Sequence, residues 1–162
     1  MKTNDNRQNT HNEIDRIFRV LLPTWNMAER PEQAALCHRM LDAMVEGGIA
    51  LCDAGTGIGK TYAYLVAGTV YSRFRAACGL GPKPILVSTS SIALQTAARD
   101  EYLPLLSDVL TEDGMIVQPL RAVIRKGKSH YVCDARLEQR LGQLDLQKKN
   151  WKAGAALLSL RG

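Results

Sequence analysis

The feature that most constrains this chain is the run Ala54-Gly55-Thr56-Gly57-Ile58-Gly59-Lys60-Thr61. It has the phosphate-loop spacing: a small residue, four residues of loop, then Gly-Lys-Thr. Such a loop needs glycines that let the backbone curl so that successive N–H groups point inward, and a helix behind it that adds its positive N-terminal end. Gly55, Gly57 and Gly59 meet the first need. The stretch from Lys60 to about Ala77, apolar nearly all round through Tyr62, Leu65, Val66, Val70 and Phe74, meets the second. The guest implied is a polyphosphate. Lys60 can place a point charge on its β and γ phosphates, and the Thr61 hydroxyl can ligate a bridging Mg²⁺. Ala54 in place of the first glycine removes no donor. A chance glycine-rich turn is the plain alternative, and average composition produces the pattern about once in a hundred chains of this length.

The flanks set the expected fold class. Ile49-Ala50-Leu51-Cys52-Asp53 is a short apolar run bounded by glycines and reads as a buried parallel strand. Ile85 to Ser88 is the next expected strand, with further ones at Met115 to Val117 and Ala122 to Ile124. Helices alternate with them. Ile14, Ile17, Phe18, Leu21 and Leu22 form one apolar stripe that Pro23 stops. Pro31 to Glu46 carries Leu36, Met40, Leu41, Met44 and Val45, with proline in its first turn and Gly47-Gly48 at its end. Ile92 to Arg99 is a further helix, and Pro104 separates it from a short one ending near Leu110. This rhythm predicts an α/β fold, a three-layer sandwich with a mainly parallel sheet, followed by a mostly helical segment from Cys133 to Leu160. Residues 1–12 are polar throughout and read as a disordered lead-in.

Composition narrows the class. With 162 residues and 46% apolar content the chain can bury a core, and no apolar run reaches the roughly 18 residues of a membrane span. No secretory signal is visible, and Cys37, Cys52, Cys78 and Cys133 form no C-x-x-C pair. A cytoplasmic protein without structural disulfides or a membrane partner is expected. The net charge of +5 is unevenly spread: residues 121–162 carry ten Lys/Arg against three Asp/Glu, and residues 1–120 eleven against thirteen. That basic quarter suits a phosphate backbone, and equally a solvated helix face.

With these residues in view, the sequence resembles the DinG and XPD-like superfamily 2 DNA helicases. Four blocks carry the likeness, in the family's order. Glu29-Arg30-Pro31-Glu32-Gln33 is similar to the family's Arg-Pro-x-Gln segment, so the resemblance places Arg30 and Gln33 at ATP, with Gln33 reading adenine. Asp53 to Thr61 with Tyr64-Leu65 resembles Glu-Ala-Gly-Thr-Gly-x-Gly-Lys-Thr-x-x-Tyr-Leu, Asp53 keeping the carboxylate of the family's Glu. The nucleotide residues implied are Arg30, Gln33, Ala54, Gly55, Thr56, Gly57, Ile58, Gly59, Lys60 and Thr61, with Lys60 and Thr61 catalytic and Thr61 on Mg²⁺.

The third block, Val87-Ser88-Thr89-Ser90-Ser91-Ile92-Ala93-Leu94-Gln95 with Tyr102-Leu103-Pro104, resembles the strand-loop-helix that touches the DNA backbone. Ser88, Thr89, Ser90 and Gln95 are the implied contacts, and plain N-capping by Ser90 or Ser91 is the bland reading. The fourth, Arg125-Lys126-Gly127-Lys128-Ser129-His130-Tyr131-Val132-Cys133, resembles the opening of the family's iron-sulfur insertion. It implies Cys133 as the first ligand of a 4Fe-4S cluster that only a longer chain could complete, the plain alternative being a solitary buried thiol; the pattern also resembles relatives in which that insertion is reduced. Arg121, Arg125, Lys126 and Lys128 would line the DNA path.

The likeness runs from about Ile14 to Leu141, and no Asp-Glu-x-His box follows Thr61. The chain therefore reads as the N-terminal fragment of a RecA-like helicase: residues 13–132 the first part of the first motor domain, residues 133–162 the start of an iron-sulfur-type or reduced insertion. The resemblance implies ATP and Mg²⁺ as cofactors, single-stranded or forked DNA as partner, and 5′ to 3′ translocation by the whole enzyme. It also implies missing C-terminal helicase domains and DNA-repair or CRISPR-type company. Two other classes stay open: a truncated module that binds ATP or nucleic acid without turnover, and a small nucleotide kinase. Gln33 and the Lys126 to Cys133 block count against the kinase.

Overall fold

The structure is a computed structural model that describes residues 2–127, 130, 131 and 133–159, with side chains from residue 5 to residue 151 of these. The chain divides into two units, residues 1–123 and 124–162.

The first unit is built from helices. Helix α1 is Lys2–Arg16, and it continues through a π-helical turn, Ile17–Leu21, into a last short turn at Leu22–Thr24. Helix α2 is Pro31–Glu46, α3 is Lys60–Ala77 and α4 is Ile92–Ala97. A second π-helical turn, Ala98–Tyr102, joins α4 to α5, Leu103–Glu112.

Local chemistry explains the ends. Arg30 is extended ahead of Pro31, whose fixed φ suits a first helical position. Gly47, at φ +68, closes α2 in the left-handed conformation that favours glycine, and the Gly48 N–H donates to the Ala43 carbonyl at 2.9 Å. Ser91 caps α4 by accepting from the Leu94 N–H at 3.2 Å, so the bland reading of that serine holds.

The core lies where α1, α2, α3 and α5 meet. Ile14, Ile17, Phe18 and Leu22 come from the α1 run, Leu36, Cys37 and Leu41 from α2, and Leu106, Val109 and Leu110 from α5. Helix α3 sits among them and contributes Ala63, Val66, Ala67 and Val70. The π-helical turn puts one extra residue into the α1 run, and both Phe18 and Leu22 are buried. Ion pairs stitch the rim: the Arg73 guanidinium grips Glu13 through two bonds of 3.0 and 2.6 Å and also donates to the Met115 carbonyl.

Two expectations are corrected. The α/β sandwich with a mainly parallel sheet is not formed: among the described residues there is no strand, and residues 49–53, 85–88, 115–117 and 122–124 are all non-helical chain without ladder partners. A strand exists only through a neighbour's N–H and C=O groups, and apolar content cannot supply that neighbour. Ile49, Leu51 and Leu86 stay 94%, 97% and 93% exposed. The RecA-like three-layer fold falls with the sheet.

The lead-in is also ordered from Lys2 onward, as the first turns of α1. Its polar residues find polar partners rather than a core. Arg7 pairs with Asp42 at 2.6 Å and Glu46 at 2.7 Å, both on α2, and Thr10 is buried with its hydroxyl donating to the Asn6 carbonyl at 2.6 Å.

The second unit contains one long helix, α6, Asp134–Ser159. Ahead of it the Lys126 N–H donates to the Tyr131 hydroxyl at 3.1 Å, and the His130 N–H donates to the Gly127 carbonyl at 2.9 Å. No helix among the described residues is long and apolar enough to cross a membrane.

Candidate nucleotide-phosphate site

Residues 54–59 form a loop between the non-helical residues 51–53 and the first turn of α3. Its curl depends on two of its three glycines. Gly57 and Gly59 have φ of +87 and +82, where L side chains are strained, whereas Gly55 does not. Gly59 has a second reason to be glycine, since a Cβ there would lie 2.0 Å from Gln33 Nε2.

Lys60 follows immediately as the first residue of α3, and its ammonium turns back over the loop. It donates to the Ala54 carbonyl at 2.9 Å and to the Gly55 carbonyl at 2.7 Å. Thr61 is next on the same first turn and half-buried. The α3 N-terminus thus presents a cation, a hydroxyl and the free amides of a helix start at one place.

The N-terminus of α2 supports this loop. The Arg30 guanidinium donates to the Gly57 carbonyl, and the Gln33 amide donates to the Gly59 carbonyl at 2.6 Å. Gln33 is 4% exposed, so its side chain lies under the loop. Ten residues expected at the nucleotide, Arg30, Gln33 and Ala54 to Thr61, are brought together. Beside them lies a cleft of about 430 Å³ between α2 and residues 51–55, lined among others by Glu32, Arg39, Cys52, Asp53 and Ile58. Glu32 and Arg39 were not expected there. Their spacing of seven places them on one helical face with Ala35 and Leu36, which is the signal that could have found them.

The expected DNA contacts are less gathered. Ser88 and Ser90 are exposed, and the Thr89 hydroxyl accepts from the Ser91 N–H at 3.2 Å. Gln95 donates weakly to the Thr89 carbonyl at 3.4 Å, while its Oε1 is buried without a partner. Arg121 in the first unit is exposed, as is Arg125 in the second, where Lys126 is half-buried. Lys128 lies outside the described residues.

Cys133 is exposed and free, which corrects the alternative of a buried thiol, and it is the one cysteine of its unit. Cys37 is buried in α2, Cys52 is exposed beside the loop and Cys78 lies at the end of α3. Among the described residues no three His, Cys, Asp or Glu side chains are grouped to hold a metal. The thiols present here do not fit an iron-sulfur cluster.

Comparison with known proteins decides the family. The chain is 32% identical over 131 residues to "3'-5' exonuclease DinG" of Bacillus subtilis, 81% of this chain and 13% of that protein. It is 34% identical over 110 residues to "ATP-dependent DNA helicase YoaA" of Escherichia coli, covering 68% of this chain and 15% of that one. With "ATP-dependent helicase DinG" of Mycobacterium tuberculosis it shares 39% over 120 residues, 74% and 17% of the two chains. The chain belongs to the DinG-like helicase family. It spans 13–17% of the length of these DinG-like relatives. No family model and no solved structure matches it.

Proposed function

We propose that this chain is the nucleotide-binding part of a DinG-like ATP-dependent DNA helicase, and that it holds ATP with Mg²⁺ at the Ala54 to Thr61 loop. One observation carries the reading. The Gly57 and Gly59 curl, the Lys60 ammonium and the start of α3 converge on one point, which is the chemistry a polyphosphate needs. The residues present fit that group. Loop amides and the α3 N-terminus receive phosphate oxygens, Lys60 leaves the Ala54 and Gly55 carbonyls to pair with the β and γ phosphates, and the Thr61 hydroxyl takes one Mg²⁺ position. Bound Mg²⁺ neutralises charge that develops on the phosphates during transfer.

In the longer protein the reading extends to hydrolysis coupled to translocation on single-stranded or forked DNA. Ser88, Thr89, Ser90 and Gln95 would touch the DNA backbone, and Arg121, Arg125, Lys126 and Lys128 would line its path. By itself the chain binds without turnover, because no Asp-Glu-x-His box follows Thr61 to orient an attacking water. Calorimetric titration of the chain with ATP and Mg²⁺ tests the core of this. Saturable binding is expected, with at least a tenfold loss in Lys60→Ala; equal affinity in that variant overturns it. For the longer protein, single-stranded DNA should stimulate ATP hydrolysis.

A further inference from the structure

Helix α6 presents its whole described length as surface: every side chain from Cys133 to Trp151 is exposed. A helix in water draws most of its stability from burying one face against a partner. The apolar residues of α6 are placed for that. Leu137, Leu141, Leu144, Lys148 and Trp151 follow one another at alternating steps of four and three, so they stay within an arc of about 80° on the helix. Such a stripe is the narrow seam of a coiled coil rather than the broad face of a core helix. Leu137, Leu144 and Trp151 hold its d positions, and Leu141 and Lys148 its a positions.

The flanks of the stripe determine what can cover it. Glu138 and Asp145 fall at the e positions on one side, and Arg140 and Gln147 at the g positions on the other. In a parallel pair each g residue faces the e residue of the partner's next heptad, which sets Arg140 against Asp145 of a second copy, twice by symmetry. An antiparallel pair would set the acidic flank against itself. We propose that α6 is a self-association helix: it pairs in parallel with α6 of a second copy of this chain through the stripe of Leu137, Leu141, Leu144 and Trp151. Lys148 is then a single charged residue in the seam, of the kind that fixes register and strand number at a cost in affinity.

Sedimentation equilibrium of the 162-residue chain over a range of concentrations tests this, and a monomer–dimer equilibrium is expected. Leu141→Glu puts a charge into the seam from both copies and should weaken the dimer at least about tenfold. Leu146 is equally apolar and more exposed than Leu141, but lies on the opposite face of α6, so Leu146→Glu should leave the dimer unchanged. Arg140→Glu should weaken it about three- to tenfold, and Asp145→Arg added to that change should restore it. A chain that stays monomeric at every concentration overturns the proposal. So does full dimerisation in Leu141→Glu, or equal weakening in Leu146→Glu, which marks unspecific clustering of apolar side chains.

Cys133 reports the direction of the pair. It is exposed and immediately precedes α6. A parallel pair brings both Cys133 thiols to one end, whereas an antiparallel pair holds them about 39 Å apart, the length of the helix. A short bis-maleimide should therefore join Cys133 to Cys133, as mass spectrometry of the linked peptides would record. A dimer that forms no such link overturns the parallel arrangement.

Discussion

The imidazoles of His11 and His38 stack at a centroid distance of 4.9 Å, with their Nδ1 atoms 2.7 Å apart. A nitrogen pair at that distance needs one proton between them, so one ring donates and the other accepts. The outer nitrogens face carboxylates: His11 Nε2 lies 3.0 Å from Asp42 and His38 Nε2 lies 3.4 Å from Asp15. Four side chains from α1 and α2 thus form one hydrogen-bonded line, and Arg7 joins it at Asp42.

Asp42→Ala should be the most damaging single change in this line, since it removes one partner from Arg7, which keeps Glu46, and one from His11, which keeps His38. The pair is partly exposed and solvent-screened, so the expected loss is about 1 kcal/mol in urea denaturation of the chain. His38→Ala should cost less. A loss below the error of the measurement in Asp42→Ala would mean the line is ornamental.

The same carboxylate gives the fold an acid limit. Burial pushes the Asp42 carboxyl up, but the Arg7 hydrogen bond and the charges of His11 and Arg7 outweigh burial and hold it below its ordinary 3.8. A depressed carboxylate stabilises the fold above its unfolded value and loses that contribution as pH falls through the folded one. Urea midpoints should therefore drop below about pH 4, and the Asp42→Asn chain should show a shallower drop over that range.

Gly59→Ala combines a φ of +82 with a Cβ placed 2.0 Å from Gln33 Nε2. Strain of this kind costs on the order of 1–3 kcal/mol, and relief requires Gln33 or the loop to move. Binding of tripolyphosphate should fall at least tenfold while helix content by circular dichroism stays unchanged. Gly55→Ala, at a position without positive φ and with open space around it, should bind nearly as the parent does.

Leu110→Ala removes a fully buried side chain that α5 contributes to the core cluster. A loss of about 2–5 kcal/mol is expected from the transfer and cavity terms together. The urea midpoint measures it, and a loss near zero would show that α5 does not belong to the cooperative unit.

The thiols should separate by burial. Cys52 and Cys133 are exposed and should react with a thiol reagent in the native chain, whereas Cys37 is enclosed in α2 and burial pushes its thiol up. Cys37 should label only on unfolding, as mass spectrometry of the modified peptides would record.

How much of this was legible follows the range of each signal. Pro31, Gly47 and the Gly59-Lys60 step act on their own backbone, so the ends of α2 and the start of α3 can be read from neighbouring residues. Ile49, Leu51 and Leu86 announce an apolar segment but carry no information about a pairing strand, and the sheet expected of them is absent among the described residues. Residues 5–12 mislead in the opposite sense. Nothing local marks them for order, because Arg7 and His11 are held by Asp42 and Glu46, more than thirty residues away. Residues 54–59 were readable as a loop; that Gln33 reaches the Gly59 carbonyl across 26 residues was not.

Helix α2 is fastened at both ends by different chemistry. Arg30 just before it and Gln33 in its first turn hold the loop, while His38 at its middle and Asp42 and Glu46 beyond hold α1. Sixteen helical residues make a rod roughly 24 Å long, which bends far less readily than its attachments stretch. One element therefore carries both tasks: the helix that seats α1 also seats, with Arg30 ahead of it, the two glycine carbonyls.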